Sequence, residues 1–248
     1  FPYTTLFRST KEMLKSYIAF DLETTGLDPE QHEIIEIGAL KVRDGKVEAR
    51  FMEFIRPGRP ISRVITNLTG ISNEMVADAE KRDTVIPAFL EFCGDEVLVG
   101  HNIMFDYGFM WNQAAALGYG FDKQGVDTLR IARRVHKEMP SKSLEALCSH
   151  YSIENQAAHR AYHDALATAK LYQTLAHYYE EKEPRVFKPV ALVYKGKGRE
   201  EQPATQKQVE FLMRLSVQKK VAVTWDPNRL TKSEASGLIE RILSGKKD

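Results

Sequence analysis

Cysteine is scarce. Only Cys93 and Cys148 occur in 248 residues, far apart and without Cys-x-x-Cys spacing. That excludes a disulfide scaffold and points to two buried free thiols in a reducing, cytoplasmic setting. Long hydrophobic runs are also missing, and none approaches the roughly 20 residues of a membrane span, so no membrane partner is expected. Internal repeats and low-complexity tracts are absent, which leaves an ordinary globular composition, 43% hydrophobic and 28% charged, with enough chain for a sizeable core.

Net charge is nearly absent as well, at +1, but it is unevenly spread. From Arg185 onward, 14 Lys and Arg face 7 Asp and Glu, a net of +7, so the residues before it carry −6. An acidic body with a basic tail suits a chain that holds cations in one part and a polyanion in the other. The plainer reading is a solvated tail.

Residues 1–12 read as a non-native leader. Phe1 to Ser9 resembles the in-frame translation of a sequencing-adapter oligonucleotide and lacks the apolar stretch of a signal peptide, which puts the native start near Met13. The first strand opens with the apolar run Tyr17 to Phe20 and ends at the turn Thr24-Thr25-Gly26. Glu33 to Val42 and Lys46 to Ile55 read as two more strands joined by Asp44-Gly45, a hairpin signal.

Pro57, Gly58 and Pro60 then break the sheet, and a short helix follows within Ile61 to Ser72. Helices are expected over 84–92, 102–117, 128–135, 143–151 and 161–179, with short strands at 97–100 and 125–128; Asn102 and Asp127 are candidate helix caps. Three antiparallel strands followed by alternating helices and short strands predict an α/β domain on a mixed sheet over residues 13–184. A basic linker at 185–203 and a small helical module at 204–248 complete the chain. The module carries the capping-box form Thr231-x-x-Glu234.

Three features carry chemistry. Asp21 and Glu23 interrupt the first strand at i and i+2, on one face. Two like charges beside a buried run call for a cation, and a hard divalent metal with oxygen ligands fits best. Asp106 lies just after a strand end, in Val99-Gly100-His101-Asn102-Ile103-Met104-Phe105-Asp106, where α/β sheets place their sites. His159 and Asp164 open the last long helix; they can address one site only if His159 stands on the preceding loop. Singly, each has an ordinary alternative: a solvated strand face, dipole compensation at a helix start, a surface histidine.

Together, Asp-x-Glu, His-Asn-x-x-Phe-Asp and His-x-x-x-x-Asp, in this order, resemble the DEDD or DnaQ-like 3′-to-5′ exonuclease superfamily. The histidine five residues before the last aspartate marks the DEDDh branch. The resemblance covers roughly Ser16 to Glu180, is similar to exonuclease domains of the DNA polymerase III epsilon-subunit type, and shows no departure at the five key positions.

It implies a ribonuclease H-like fold and two Mg²⁺ or Mn²⁺ ions about 3.5–4 Å apart. Asp21 would bridge both ions, with Glu23 and Asp164 completing one site and Asp106 supporting the other, and His159 would act as general base. It further implies contacts to a 3′-terminal nucleotide from Thr24, Leu27, His101, Asn102, Phe105 and the Thr66–Ile71 segment, including Thr66 and Thr69.

The expected activity is release of nucleoside monophosphates from single-stranded or frayed DNA 3′ ends, in proofreading, repair or turnover. A DNA polymerase or other replication protein is a candidate partner. The alternatives are an RNA or oligoribonucleotide exonuclease, distinguished by 2′-OH contacts, and a silent docking module that keeps only the fold. In the basic module, Lys207, Arg214, Lys219, Lys220 and Lys232 are candidates for binding single strands.

Overall fold

The first apolar run continues straight through its acids, giving strand β1 at Tyr17–Thr24, followed by β2 at Ile34–Arg43 and β3 at Lys46–Phe54. The structure, a computed structural model, describes residues 13–155, 157–196, 203–219, 221, 223, 225–227 and 230–244; the expected leader over 1–12 and Lys220 lie outside the described residues. Asp44 and Gly45 turn β2 into β3 with φ of 45° and 77°, the left-handed pair that a two-residue hairpin requires.

The chain then forms α1 (Arg63–Thr69), α2 (Asn73–Val76) and α3 (Arg82–Cys93), strand β4 (Leu98–Gly100), and α4 (Met104–Ala116). Strand β5 (Gln124–Asp127) leads into α5 (Thr128–Val135), α6 (Leu144–His150) and the long α7 (Ala161–Tyr179). As expected from sequence, the Asp127 carboxylate caps α5 by accepting from Leu129 N. The sheet order is β3-β2-β1-β4-β5-β6, with β6 at Val190–Ala191. The β1–β2 and β2–β3 ladders are antiparallel, β1–β4 and β4–β5 parallel, and β5–β6 antiparallel. This is the expected mixed sheet.

Strand alternation sorts β1 between two cores. Ile18, Phe20 and Leu22 face a cluster with Phe89 of α3 and Tyr107, Phe109 and Met110 of α4. Tyr17 and Ala19 face a second cluster with Ile131 of α5 and Ala165, Leu171 and Tyr172 of α7. Asp21 and Glu23 share the parity of Tyr17 and Ala19, so they fall under α7. On β2 the same face carries Glu36 and Gly38. Gly38 sits opposite Asp21, and a Cβ there would come within 1.9 Å of Tyr162 N. Only glycine lets the first turn of α7 rest on the sheet at that point.

Two expectations change. Residues from Arg185 read as a linker, but Pro184–Phe187 forms helix α8 and Val190–Ala191 pairs with β5, with Phe187 and Leu192 buried. The first compact unit therefore runs to Tyr194, and the second begins at Lys195. Asn102 does not cap α4. It stands at φ 62° with Ile103 in the cap position, and its own N–H donates to Asp127 Oδ1.

The second unit pairs α9 (Gln206–Lys219) with α10 (Lys232–Ser244) around Leu212, Leu215, Leu230 and Ile242. Its capping box forms as expected: Thr231 N donates to Glu234 Oε2 at 2.9 Å, and Glu234 N to Thr231 Oγ1 at 3.2 Å. Cys93 and Cys148 are buried free thiols. Among the described residues, no helix is long and apolar enough to cross a membrane.

Candidate active site

Four acidic side chains converge from three elements. Asp21 and Glu23 come from β1 on the α7 face. Because β4 ends at Gly100, the outer edge of β1 is open beyond Ala19, and Asp106 in the first turn of α4 fills it: its Oδ1 accepts Leu22 N–H at 3.0 Å. Asp164, in the first turn of α7, is held at both oxygens. Its Oδ1 accepts from Asn155 Nδ2 at 2.6 Å and its Oδ2 from His159 N at 2.8 Å. His159 lies on the loop before α7, as one shared site requires, with φ 62° and an exposed side chain. A non-glycine residue in that conformation is strained, and such strain concentrates at functional sites.

The electrostatics are those of an anionic pocket. Burial, then the neighbouring charges of Asp106, Asp164, Glu23 and Glu36, hold Asp21 well above the carboxylate range. Glu23 is pushed up to about 8, first by burial and then by Asp164, Glu36 and Asp106, against a smaller attraction to Arg160. Burial pushes Asp106 to about 8 despite its bond from Leu22 N–H. Asp164 is also raised, again by burial first, while Asn155 and His159 oppose the shift.

Such a group ionises fully only when a cation joins it. One ligand atom each from Glu23, His159 and Asp164 lie within 4.8 Å of one another. The carboxylate oxygens suit a hard divalent ion.

Of the residues expected to meet the nucleotide, Leu27 is 76% exposed, Asn102 is exposed, and Thr66 and Phe105 are half-buried, the Phe105 ring tilted against Phe109 at 5.1 Å between centroids. Three other candidates have their side chains occupied. The two ring nitrogens of His101 lie 2.9 Å from Thr128 Oγ1 and 3.0 Å from the Lys142 carbonyl, so they tie the residue after β4 to the start of α5 and to the loop before α6. Thr69 is buried; its hydroxyl donates to Ile65 O and accepts from Ile71 N. Thr24 donates to Gly26 O at 2.6 Å, so its hydroxyl proton is already engaged.

Two participants were missed in the sequence. Glu36, buried on β2 directly opposite Glu23, accepts Arg160 Nη2 at 2.9 Å and Ala161 N at 3.1 Å. Asn155 braces Asp164. Glu36 had the same signal as Asp21: an acid inside the apolar run Ile34–Leu40. Nothing local marks Asn155.

Comparison with known proteins follows the same boundaries. The family model described as "Exonuclease" (RNase_T) matches residues 18–172. Among curated proteins, the DNA polymerase III PolC-type of Latilactobacillus sakei is 44% identical over 165 residues, 64% of this chain and 11% of that protein. That of Caldanaerobacter subterraneus is 40% identical over 156 residues, 63% of this chain and 11% of that protein. The matched region thus spans about a tenth of those relatives.

Among solved structures, Exonuclease X in complex with 5′ overhanging duplex DNA is 28% identical, with a TM-score of 0.54 over 69% of this chain and 99% of that one. The nuclease domain of 3′hExo, a DEDDh family member bound to rAMP, is 20% identical, with a TM-score of 0.58 over 67% of this chain and 94% of that one, and shares the fold. With its family model covering more than half its length, the chain belongs to the exonuclease family.

Proposed function

We propose that this chain removes nucleoside monophosphates one at a time from unpaired DNA 3′ ends, with two Mg²⁺ or Mn²⁺ ions as cofactors. The observation that carries this reading is the convergence of Asp21, Glu23, Asp106 and Asp164 in one desolvated pocket beside an exposed His159.

The four carboxylates would hold the ions. Bound there, divalent ions supply charge neutralisation at the phosphoryl oxygens and a more acidic water. His159 takes the proton from the attacking water, a role for which imidazole is suited near neutral pH. The leaving 3′ oxygen of the shortened strand and the departing 5′-monophosphate complete an in-line hydrolysis. Leu27, Thr66, Asn102, Phe105 and the backbone at Thr24 are the contacts proposed for the terminal nucleotide, with Leu27 and Phe105 offering apolar surface for stacking. His101 and Thr69 hold the frame around them.

DNA is preferred over RNA as substrate because the curated relatives are DNA polymerases and Exonuclease X is described with duplex DNA. Proofreading, repair or DNA turnover beside a DNA polymerase is the role we propose, in the cytoplasm, where free thiols persist. Exposed Lys207, Arg214 and Lys219 of the second unit add a basic surface for single strands.

The test uses matched 3′-labelled DNA and RNA, single- and double-stranded, with Mg²⁺, Mn²⁺ or chelator. Metal-dependent release of mononucleotides, faster on single-stranded DNA, is expected. Hydrolysis that persists in excess chelator defeats the metal assignment, and faster turnover of RNA defeats the substrate assignment.

A further inference from the structure

The acidic pocket contains a carboxylate that the proposed chemistry does not use. Glu36 is 5% exposed and sits directly across the β1–β2 ladder from Glu23. Like charges directly opposite one another in a sheet are unfavourable, yet Glu36 makes more hydrogen bonds than any of the four acids beside it. Arg160 Nε lies 3.2 Å from each of its oxygens and Nη2 2.9 Å from Oε1, while Ala161 N donates to Oε2 at 3.1 Å.

Arg160 is the N-cap residue of α7 and provides no side-chain cap, so the Glu36 carboxylate performs that task from a different strand. The guanidinium also lies 5.4 Å from the Phe54 ring centroid on β3. It is therefore gripped from both neighbouring strands.

His159 precedes this grip by one residue. Its φ of 62° is an unfavourable state for a side-chain-bearing residue, so something must over-determine it. Asp164 holds its N–H from one side. The Glu36–Arg160 fork holds the next residue from the other. Gly38 removes the Cβ that would lift α7 away from the same spot.

We propose that Arg160 and Glu36 form a positioning pair for the hydrolysis proposed above: the fork locks the left-handed turn at His159 and so aims its imidazole at the attacking water. This rests on the proposed assignment of His159 as base. Both residues spend their polar atoms on each other and on the start of α7. Lysine keeps the charge at position 160 but cannot make the two-pronged contact through Nε and Nη2.

The experiment is a double-mutant cycle on the full chain with single-stranded DNA and Mn²⁺: wild type, Arg160→Lys, His159→Ala and the double variant. Mn²⁺ affinity is measured by calorimetry in each. Arg160→Lys is expected to lower kcat about 10–100-fold, the scale of a small misplacement, with KM and Mn²⁺ affinity within about 2-fold. In the His159→Ala background the same change is expected to cost less than about 2-fold, because the pair acts only through His159.

Equal losses in both backgrounds, or a loss of Mn²⁺ affinity that accounts for the drop, overturn the proposal. Glu36→Gln gives an independent arm with the same expected pattern. If circular dichroism shows that neither variant folds, the pair is a folding determinant and the proposal falls. An inactive wild type removes the functional reading itself, whereas an active wild type with additive losses removes only the positioning role.

Discussion

Glu23 on β1 stands directly across the ladder from Glu36 on β2, and the protein treats these two buried carboxylates in opposite ways. Glu36 is paired with the Arg160 guanidinium and accepts the Ala161 N–H. Glu23 is left in the acidic pocket, its proton held up to about pH 8 by burial and by Asp164, Glu36 and Asp106. One acid closes the structure, and the other is kept for a cation.

That contrast makes the stability of the metal-free protein pH-dependent. Glu23 has an ordinary value of 4.5 and a folded value of about 8. Between those values the folded state holds a proton that the unfolded chain has released, so stability falls as pH rises through the window. Asp106, also at about 8, adds in the same direction. In excess chelator, Tm should drop from pH 5 to pH 8, and added Mg²⁺ or Mn²⁺ should raise Tm more at pH 8 than at pH 5. Calorimetric scans check this, and a flat or rising metal-free profile counts against the acidic pocket.

Asp21→Asn removes a charge from the centre of the cluster while keeping its size. Turnover should fall by on the order of 10³-fold or more, since several kcal/mol of charge stabilisation go with the metal. The metal-free variant should be more stable than wild type at pH 8, because an amide is buried without the proton uptake that Asp21 needs there. Activity and Tm measured on the same preparation separate this from misfolding, which would lower both.

His159→Ala should lower kcat by about 10²–10⁴-fold, the range for loss of a general base, while metal affinity stays near wild type. His159 has a nitrogen within 4.8 Å of ligand oxygens of Glu23 and Asp164, so a ligand role is the competing expectation. Titration of Mn²⁺ into wild type and variant decides between them: a large loss of affinity makes His159 a ligand.

Gly38→Ala should destabilise the first unit by about 1–3 kcal/mol, the usual cost of overpacking. The added methyl would meet the backbone of Ala161 and Tyr162 and push α7 off β2 at the turn that carries His159 and Asp164. Denaturant midpoints together with turnover test it. A fully stable, fully active variant would mean that α7 does not rest on Gly38.

Neutralising Lys207, Arg214 and Lys219 together should weaken single-stranded DNA binding and reduce the slope of log affinity against log salt by about 2, at roughly 0.7 per phosphate contact. Binding isotherms at several salt concentrations read this directly. An unchanged slope assigns the second unit to some other task.

The sequence alone determined strands β1 to β5 and helices α1 and α3 to α7 of the first unit, and it singled out five residues as site candidates. Period-2 alternation, the Asp44-Gly45 turn and the Asp127 cap are local signals, and they formed where expected. Acids breaking an apolar run are local too, which is why Asp21 and Glu23 stood out.

Tertiary structure alone decided what each neighbour of those residues does. His101 looked like a ligand contact, but its two ring nitrogens bond Thr128 and Lys142, 27 and 41 positions away. Arg185 to Leu192 looked like a linker because two residues of strand are too few to show a period, yet the open edge of β5 takes them up. The Glu36–Arg160 fork joins residues 124 positions apart. No spacing rule reaches that far, because such a bond exists only once the sheet has brought β2 beneath the start of α7.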